Sequence, residues 1–482
     1  MGKDTVHDKS SELDAEKCST AKDSESVEDA RTPNFNPKAE SRVVRRIDMR
    51  LLPASMFIYL LSFLDRSNIG NARILNSTTG DSLVQTTRIS NQQYLDALLV
   101  FLIAFALFEV PSNYMLHRFR PSRWIAFLIM GWGLMTMVIG AVKDFAALVI
   151  VRILLGAFEA GLVPGIVYCL MFWYKQDERA LRIAFIIGCP TLAGAFGGAI
   201  ALGVGHMDGI RGLQGWRWLF ILEGIPSCIC AVLVYFFYPD LPETSRWLSA
   251  EERALASNRT RIEGVASLGH EKVTWAEAKA TLVDWRLYLH YAASISYSVA
   301  LSSITLFSPT IVSGLGYEGL TAQLFTVPPY AIAFIITLFI AWQADKRGLR
   351  CWAAFACFII SGICFLVQGL LPSDAFKARY GLLCVAVPFS FAMEPSLLSW
   401  LTANVRGTSA ATLAVPMNLA SGQIGQIVGI YIYKNSEAPG YPTGHFTNAG
   451  FLLVGAIVVL ILRAIYIRRN RSLSVTDYKW QL

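Results

Sequence analysis

The chain has 482 residues, 54% of them hydrophobic and only 16% charged, a balance too apolar for two or three water-soluble domains. Residues 1–50 and 239–286 together hold 36 of the 77 Lys, Arg, Asp and Glu residues, and the other 384 positions hold 41. A chain so poor in charge over most of its length needs lipid as its solvent, and a water-soluble enzyme is excluded. The formal charge of +7 becomes +9 once the two slightly acidic stretches are set aside. That excess flanks apolar runs and is a topology signal, since no basic and aromatic stretch elsewhere has the character of a nucleic-acid surface.

Residues 1–42 are rich in Ser, Asp, Glu and Lys and lack aliphatic periodicity, which predicts a disordered cytosolic tail with no secretory signal. Apolar runs long enough to cross the hydrocarbon as helices follow near 51–70, 94–116, 123–142, 146–172, 182–205 and 217–238. After a polar interval they resume near 287–312, 322–343, 351–371, 380–402, 408–433 and 449–468. The predicted fold is therefore an all-α membrane protein with twelve transmembrane helices in two six-helix halves, 43–238 and 287–468. A central cytosolic loop at 239–286 joins them, and 469–482 form a cytosolic tail. Ser249 followed by Glu252 is a capping-box pattern and predicts a short helix at 250–256 in the loop.

Orientation follows from Lys and Arg in the short flanks, eighteen on the inner side against eight on the outer, so both termini are placed in the cytosol. Asn76 is then the outward-facing glycosylation candidate, while the sequons at Asn258 and Asn470 face inward. Arg120-x-x-Arg123-Trp124 after the second span and Arg347-x-x-Arg350-Cys351-Trp352 after the eighth form a weak repeat, offset by 227 residues. Eight of nine cysteines lie in or against apolar segments and read as packing residues. The six histidines are scattered, and there is no Walker A loop, metalloprotease helix or nucleophile elbow. No cofactor, metal, nucleotide or nucleic acid is implied.

A charge inside the bilayer is costly unless it is paired or faces a wet cavity, so each one is a functional candidate. In the fourth span, Arg152 and Glu159 are seven residues apart on one helix face, with small residues at 156, 157, 160 and 161 and Pro164 one turn beyond. Either they line a cavity, as an anion-holding guanidinium and a protonatable carboxyl, or they are held in a fixed interhelical ion pair that merely locks the bundle. Further candidates are Asp65 beside Arg66, Glu109, Glu223 and Glu394, with Asn418 and Gln423 as neutral polar groups. The pair Asp65–Arg66 reads as structural at a helix mouth, and Glu394 precedes Pro395 in a span with no basic residue near it.

Ordered strings along nearly all spans resemble a known family. They include Leu64-Asp65-Arg66-x-Asn68-Ile69-Gly70-Asn71-Ala72, Glu109-x-Pro111-Ser112-Asn113 and Arg152 through Gly161. Gly215-Trp216-Arg217-Trp218, Pro239-Asp240-x-Pro242-Glu243 and Pro328-Pro329-Tyr330 continue the series. The chain resembles the major facilitator superfamily, and within it the fungal anion:cation symporter branch of allantoate, nicotinate, pantothenate and biotin permeases. The resemblance implies a rocking twelve-helix bundle that carries an organic anion with protons. The superfamily's inner-loop pattern is degenerate after the second span and nearer to form at Asp345-Lys346-Arg347-Gly348-x-Arg350. Arg123, Asp345, Arg347 and Arg350 are therefore expected in an inner latch.

The expected function is secondary active symport of a small organic anion by alternating access in the plasma membrane, by a chain working as a monomer in the bilayer. A vacuolar or other internal membrane is the alternative location. An exporter of a secondary metabolite and a non-transporting nutrient sensor are the alternative functions, because nothing in the helices encodes the direction of net flux.

Overall fold

The structure is a computed structural model that describes residues 37–77, 79–261, 275–314, 324–405, 408–472 and 480–481. Residues 1–46 and 47–482 are separate units, and the described part of the first is helical. The helices are α1 (Pro37–Ile74), α2 (Asn91–Arg118), α3 (Pro121–Ile139), α4 (Phe145–Glu159), α5 (Leu162–Trp173), α6 (Gln176–Ile187), α7 (Cys189–Gly205) and α8 (Gly215–Phe237). After these come α9 (Ala250–Arg261), α10 (Trp275–Val283), α11 (Trp285–Gly314), α12 (Val327–Arg347), α13 (Arg350–Leu370), α14 (Phe376–Asn404), α15 (Thr408–Tyr431) and α16 (Pro442–Ser472).

Among the described residues, ten helical segments are long and apolar enough to span a membrane, with α4–α5 and α6–α7 each counting as one. The other two expected spans, α11 and α15, are helices of 30 and 24 residues but are not among the ten. Both are interrupted by polar residues: α11 carries six serines between 294 and 308, and α15 carries Asn418, Ser421, Gln423 and Gln426. Those residues belong on a face that meets protein or water instead of lipid.

Several expected boundaries move. Residues 37–42, assigned to the tail, are the first turns of α1, because Pro37 suits the start of a helix and nothing before Pro53 breaks one. The helix expected to end at 468 runs to Ser472, and the loop helix runs to Arg261 instead of stopping at 256. Its capping box forms as the spacing predicts, with Glu252 N–H donating to Ser249 Oγ and Ser249 N–H to Glu252 Oε2, both at 3.2 Å. The expected fourth and fifth spans are each broken. Pro164 and Pro190 remove backbone donors near the breaks at 160–161 and at Gly188.

In the chain up to Phe237, α3 packs on α8 and on α4, and α4 packs on α2. After Trp285, α13 packs on α14 and α16, α12 on α14, and α11 on α15 and α16. The two sets meet where α2 lies against α15 and where α6 and α7 lie against α12. The loop is pinned to the first set: Trp173 Nε1 donates to the Asp240 carbonyl at 3.2 Å, Ser122 N–H to Asp240 Oδ1 at 2.7 Å, and Arg259 pairs with Glu178.

Small residues let α2 approach the broken helix. A Cβ on Gly156 would lie 2.5 Å from the Phe101 carbonyl oxygen, and one on Gly161 would lie 1.8 Å from Ser112 Oγ. Gly161→Ala should destabilise the protein by about 1–3 kcal/mol through overpacking. Ser112→Gly should recover part of that loss in a double-mutant cycle read by thermal unfolding in detergent; additive effects would show that the close approach does not form.

Candidate functional site

The first wall of the site comes from α1, where Tyr59, Ser62 and Arg66 are spaced three and four residues apart and share one face. Ser62 Oγ donates to Glu159 Oε1 at 2.7 Å, and Arg66 Nη2 reaches the same oxygen at 3.2 Å. Glu159 is the last residue of α4, so the break at 160–161 follows the carboxylate that α1 holds. The Arg66 guanidinium also stands over three rings of the first set, 4.8 Å from Phe105, 5.3 Å from Phe101 and 5.8 Å from Phe63. Such stacking compensates a cation that has little access to water.

These groups open on a narrow pocket. Glu109 of α2 lines it from the same side, and Tyr297 of α11, Glu394 of α14 and Gln423 and Gln426 of α15 line it from the other. An adjoining narrow pocket shares Phe63, Arg66, Leu301 and Gln426 with the first and adds Arg152. Arg152 is 1% exposed, and its Nε and Nη2 have no hydrogen-bond partner among the described residues. The Phe101 ring stands 5.7 Å from the guanidinium carbon. Both carboxyl oxygens of Glu109 and Oε1 of Gln423 are likewise buried without a partner among the described residues.

The structure thus gathers Arg152, Glu159, Glu394, Glu109 and Gln423 around two joined cavities. Glu159 forms an ion pair across helices with Arg66 of α1, and Arg152 lines the adjoining pocket. Asp65 and Glu223 lie apart from the cavity lining. Ser227 Oγ donates to Asp65 Oδ2 at 3.2 Å and Asn68 Nδ2 donates to Glu223, so the two carboxyls tie α1 to α8. Asn418 is buried outside the lining, its carbonyl accepting from Ser294 Oγ at 3.1 Å and Ser421 Oγ at 2.7 Å.

In the expected inner latch, Arg123 and Arg347 are exposed at helix ends, and the Asp345 side chain lies outside the described residues. Arg350 Nη1 donates to Gln481 Oε1 at 2.6 Å. Asn76 is half-buried with a left-handed backbone, φ 54°, and its Nδ2, the atom a glycan would occupy, donates to the Gly205 carbonyl at 3.2 Å. Among the described residues no group of three or more His, Cys, Asp or Glu is placed to hold a metal ion.

The residues underrated by the sequence are Arg66, read as structural, and Tyr59, Ser62 and Tyr297, which carried no assigned role; Gln426 reads in the sequence as a neutral polar group of the eleventh span. A signal existed for the first three: a polar stripe at 59, 62 and 66 on an apolar helix.

The family model described as Major Facilitator Superfamily matches residues 55–430, which contain every cavity residue named above. The chain belongs to this superfamily. It is 49% identical over 440 residues to the MFS transporter prlL of Fungal sp. (strain NRRL 50135), covering 91% of this chain and 89% of that protein. It is 32% identical over 449 residues to the MFS-type transporter cnsO of Penicillium expansum, covering 91% and 85%. The fold is similar to that of the solved MFS proton:xylose symporter XylE bound to 6-bromo-6-deoxy-D-glucose, with a TM-score of 0.62 at 15% identity, covering 86% of this chain and 95% of that one. The protein is therefore an integral membrane transporter of the superfamily and not an enzyme.

Removing one member of a buried ion pair strands the other. Arg66→Met should destabilise the protein by about 3–5 kcal/mol, and Arg66→Met with Glu159→Leu should recover most of that loss in thermal unfolding. A double variant no more stable than the single one would show that the pair is not coupled.

Proposed function

We propose that this protein is a secondary active transporter of the anion:cation symporter branch that takes up a small organic anion together with protons by alternating access. In this reading twelve helices span the plasma membrane, six and six, with both termini in the cytosol. The rocking halves meet at the contacts of α2 with α15 and of α7 with α12.

The observation that carries the reading is Arg152: a guanidinium almost wholly buried, with donors unpartnered among the described residues, on the wall of a cavity. The Arg66–Glu159 pair is internally neutral, so Arg152 holds the charge that a carboxylate would complete, by a charge-assisted hydrogen bond of the kind arginine forms well. Glu109 and Glu394 then supply the proton sites. Carrying a proton on each keeps the loaded cavity near neutrality, which lowers the cost of passing the low-dielectric barrier. Tyr297 and Gln423 contribute uncharged polar groups for the remainder of the substrate.

Uptake of a labelled carboxylate panel in a transport-deficient host, at two external pH values, tests this. At least one carboxylate should accumulate, and do so several-fold faster at the acidic pH, with Glu394→Gln losing the acid stimulation while reaching the membrane in normal amount. Faster loss of preloaded label would favour the exporter, binding without flux the sensor, and pH-independent uptake would remove the protons from the reading.

A further inference from the structure

Residues 480 and 481 lie against the ends of four helices, the starts of α11 and α13 and the ends of α14 and α16. The Trp480 indole is 9% exposed. It stacks on Tyr466 at 5.6 Å between centroids and 10° between planes, and the Arg286 guanidinium stands 4.4 Å over its ring. Tyr466 is itself fixed, its hydroxyl 3.0 Å from His290 Nε2.

Two side-chain amides then each pair with the main-chain N–H and C=O of one residue, at two consecutive residues. Trp480 N–H donates to Asn470 Oδ1 at 2.7 Å and Asn470 Nδ2 donates back to the Trp480 carbonyl at 2.8 Å. Gln481 N–H donates to Asn404 Oδ1 at 2.8 Å and Asn404 Nδ2 donates back to the Gln481 carbonyl at 3.1 Å. That carbonyl also accepts from Trp400 Nε1 at 3.0 Å, and the Gln481 side chain accepts from Arg350 Nη1 at 2.6 Å.

Reciprocal main-chain bonds beside an aromatic pocket are how peptide-binding sites recognise an extended segment, the backbone giving affinity and the ring giving specificity. A helical bundle has no need of this arrangement for its own packing. Asn404 and Asn470 are placed so that each pairs with the main-chain N–H and C=O of one residue of the segment, and Arg350 donates to a side-chain amide oxygen at the second position.

We propose that the ends of α11, α13, α14 and α16 form a peptide-binding pocket whose ligand is the Trp480–Gln481 segment of the same chain. Its occupancy ties four helix ends into one body and holds Arg350, a residue expected in the inner latch, on the segment. Release of the segment removes the Arg350–Gln481 bond, so the pocket links the state of the segment to the start of α13. The pocket stands on its own contacts and does not depend on the identity of the transported substrate.

Hydrogen exchange by mass spectrometry on the full-length protein in detergent tests it. The amides of Trp480 and Gln481 should be protected in the native chain, and Trp480→Ala and Asn404→Ala should each lower that protection at least about tenfold. Trp480→Phe, which keeps a ring to stack, should retain most of it, and peptides from α1 to α8 should exchange alike in all variants. Exchange of the native segment at the rate of a free peptide, protection unchanged in Trp480→Ala, or loss spread over all helices would each overturn the pocket.

Discussion

A guanidinium and a carboxylate buried in a bundle surrounded by lipid are tolerable only where each neutralises the other, and the cost falls further as their remaining lone pairs and protons are satisfied. Arg66 and Glu159 neutralise each other, Ser62 donates to the carboxylate and three phenylalanine rings stand against the guanidinium, whose Nε has no hydrogen-bond partner among the described residues. Much of the site is arranged around this pair. It consumes the one carboxylate in α4 that the neighbouring Arg152 could have used, and it draws α1 against the point where α4 breaks.

The break has its own cause in packing. Gly156 and Gly161 allow α2 to approach within contact of the backbone, and Pro164 interrupts the hydrogen-bond ladder just beyond. Glu159 therefore sits at a helix terminus, with Glu109 on the neighbouring helix facing the same cavity. The opposite wall is built from α11, α14 and α15. Serines on α11 bond to backbone carbonyls of α15: Ser294 to Asn418 at 3.1 Å and Ser302 to Gln426 at 3.0 Å. This polar seam explains why two long helices are less apolar than the rest and why they stand at the cavity.

Much of this was legible in the sequence. Apolar run length located the helices, because crossing lipid leaves few other backbone solutions. The cost of burying charge pointed to Arg152, Glu159, Glu109 and Glu394, all of which line the cavities. What the sequence could not show was which residues pair across helices. An interhelical ion pair is one expectation for Arg152 and Glu159, but the sequence names no partner, and the contact that forms joins residues 66 and 159. Asp65 and Glu223 read as structural rather than functional in the sequence, and Ser227 and Asn68 bind them in the seam between α1 and α8. Asn76 fits a glycosylation pattern, but the pattern is blind to a backbone carbonyl that occupies its amide. The docking of Trp480 was equally invisible, since a Trp-Gln pair has no periodicity to betray a partner.

The account turns on Arg152 being the unsatisfied charge that an anion completes. The most direct test is calorimetric binding of a carboxylate panel to the purified protein and to its Arg152→Gln variant, with thermal unfolding of both as a check on folding. The account predicts that a carboxylate bound by the native protein loses at least about tenfold in affinity in the variant, the scale of one charge-assisted hydrogen bond. Equal affinity in a folded variant would contradict it.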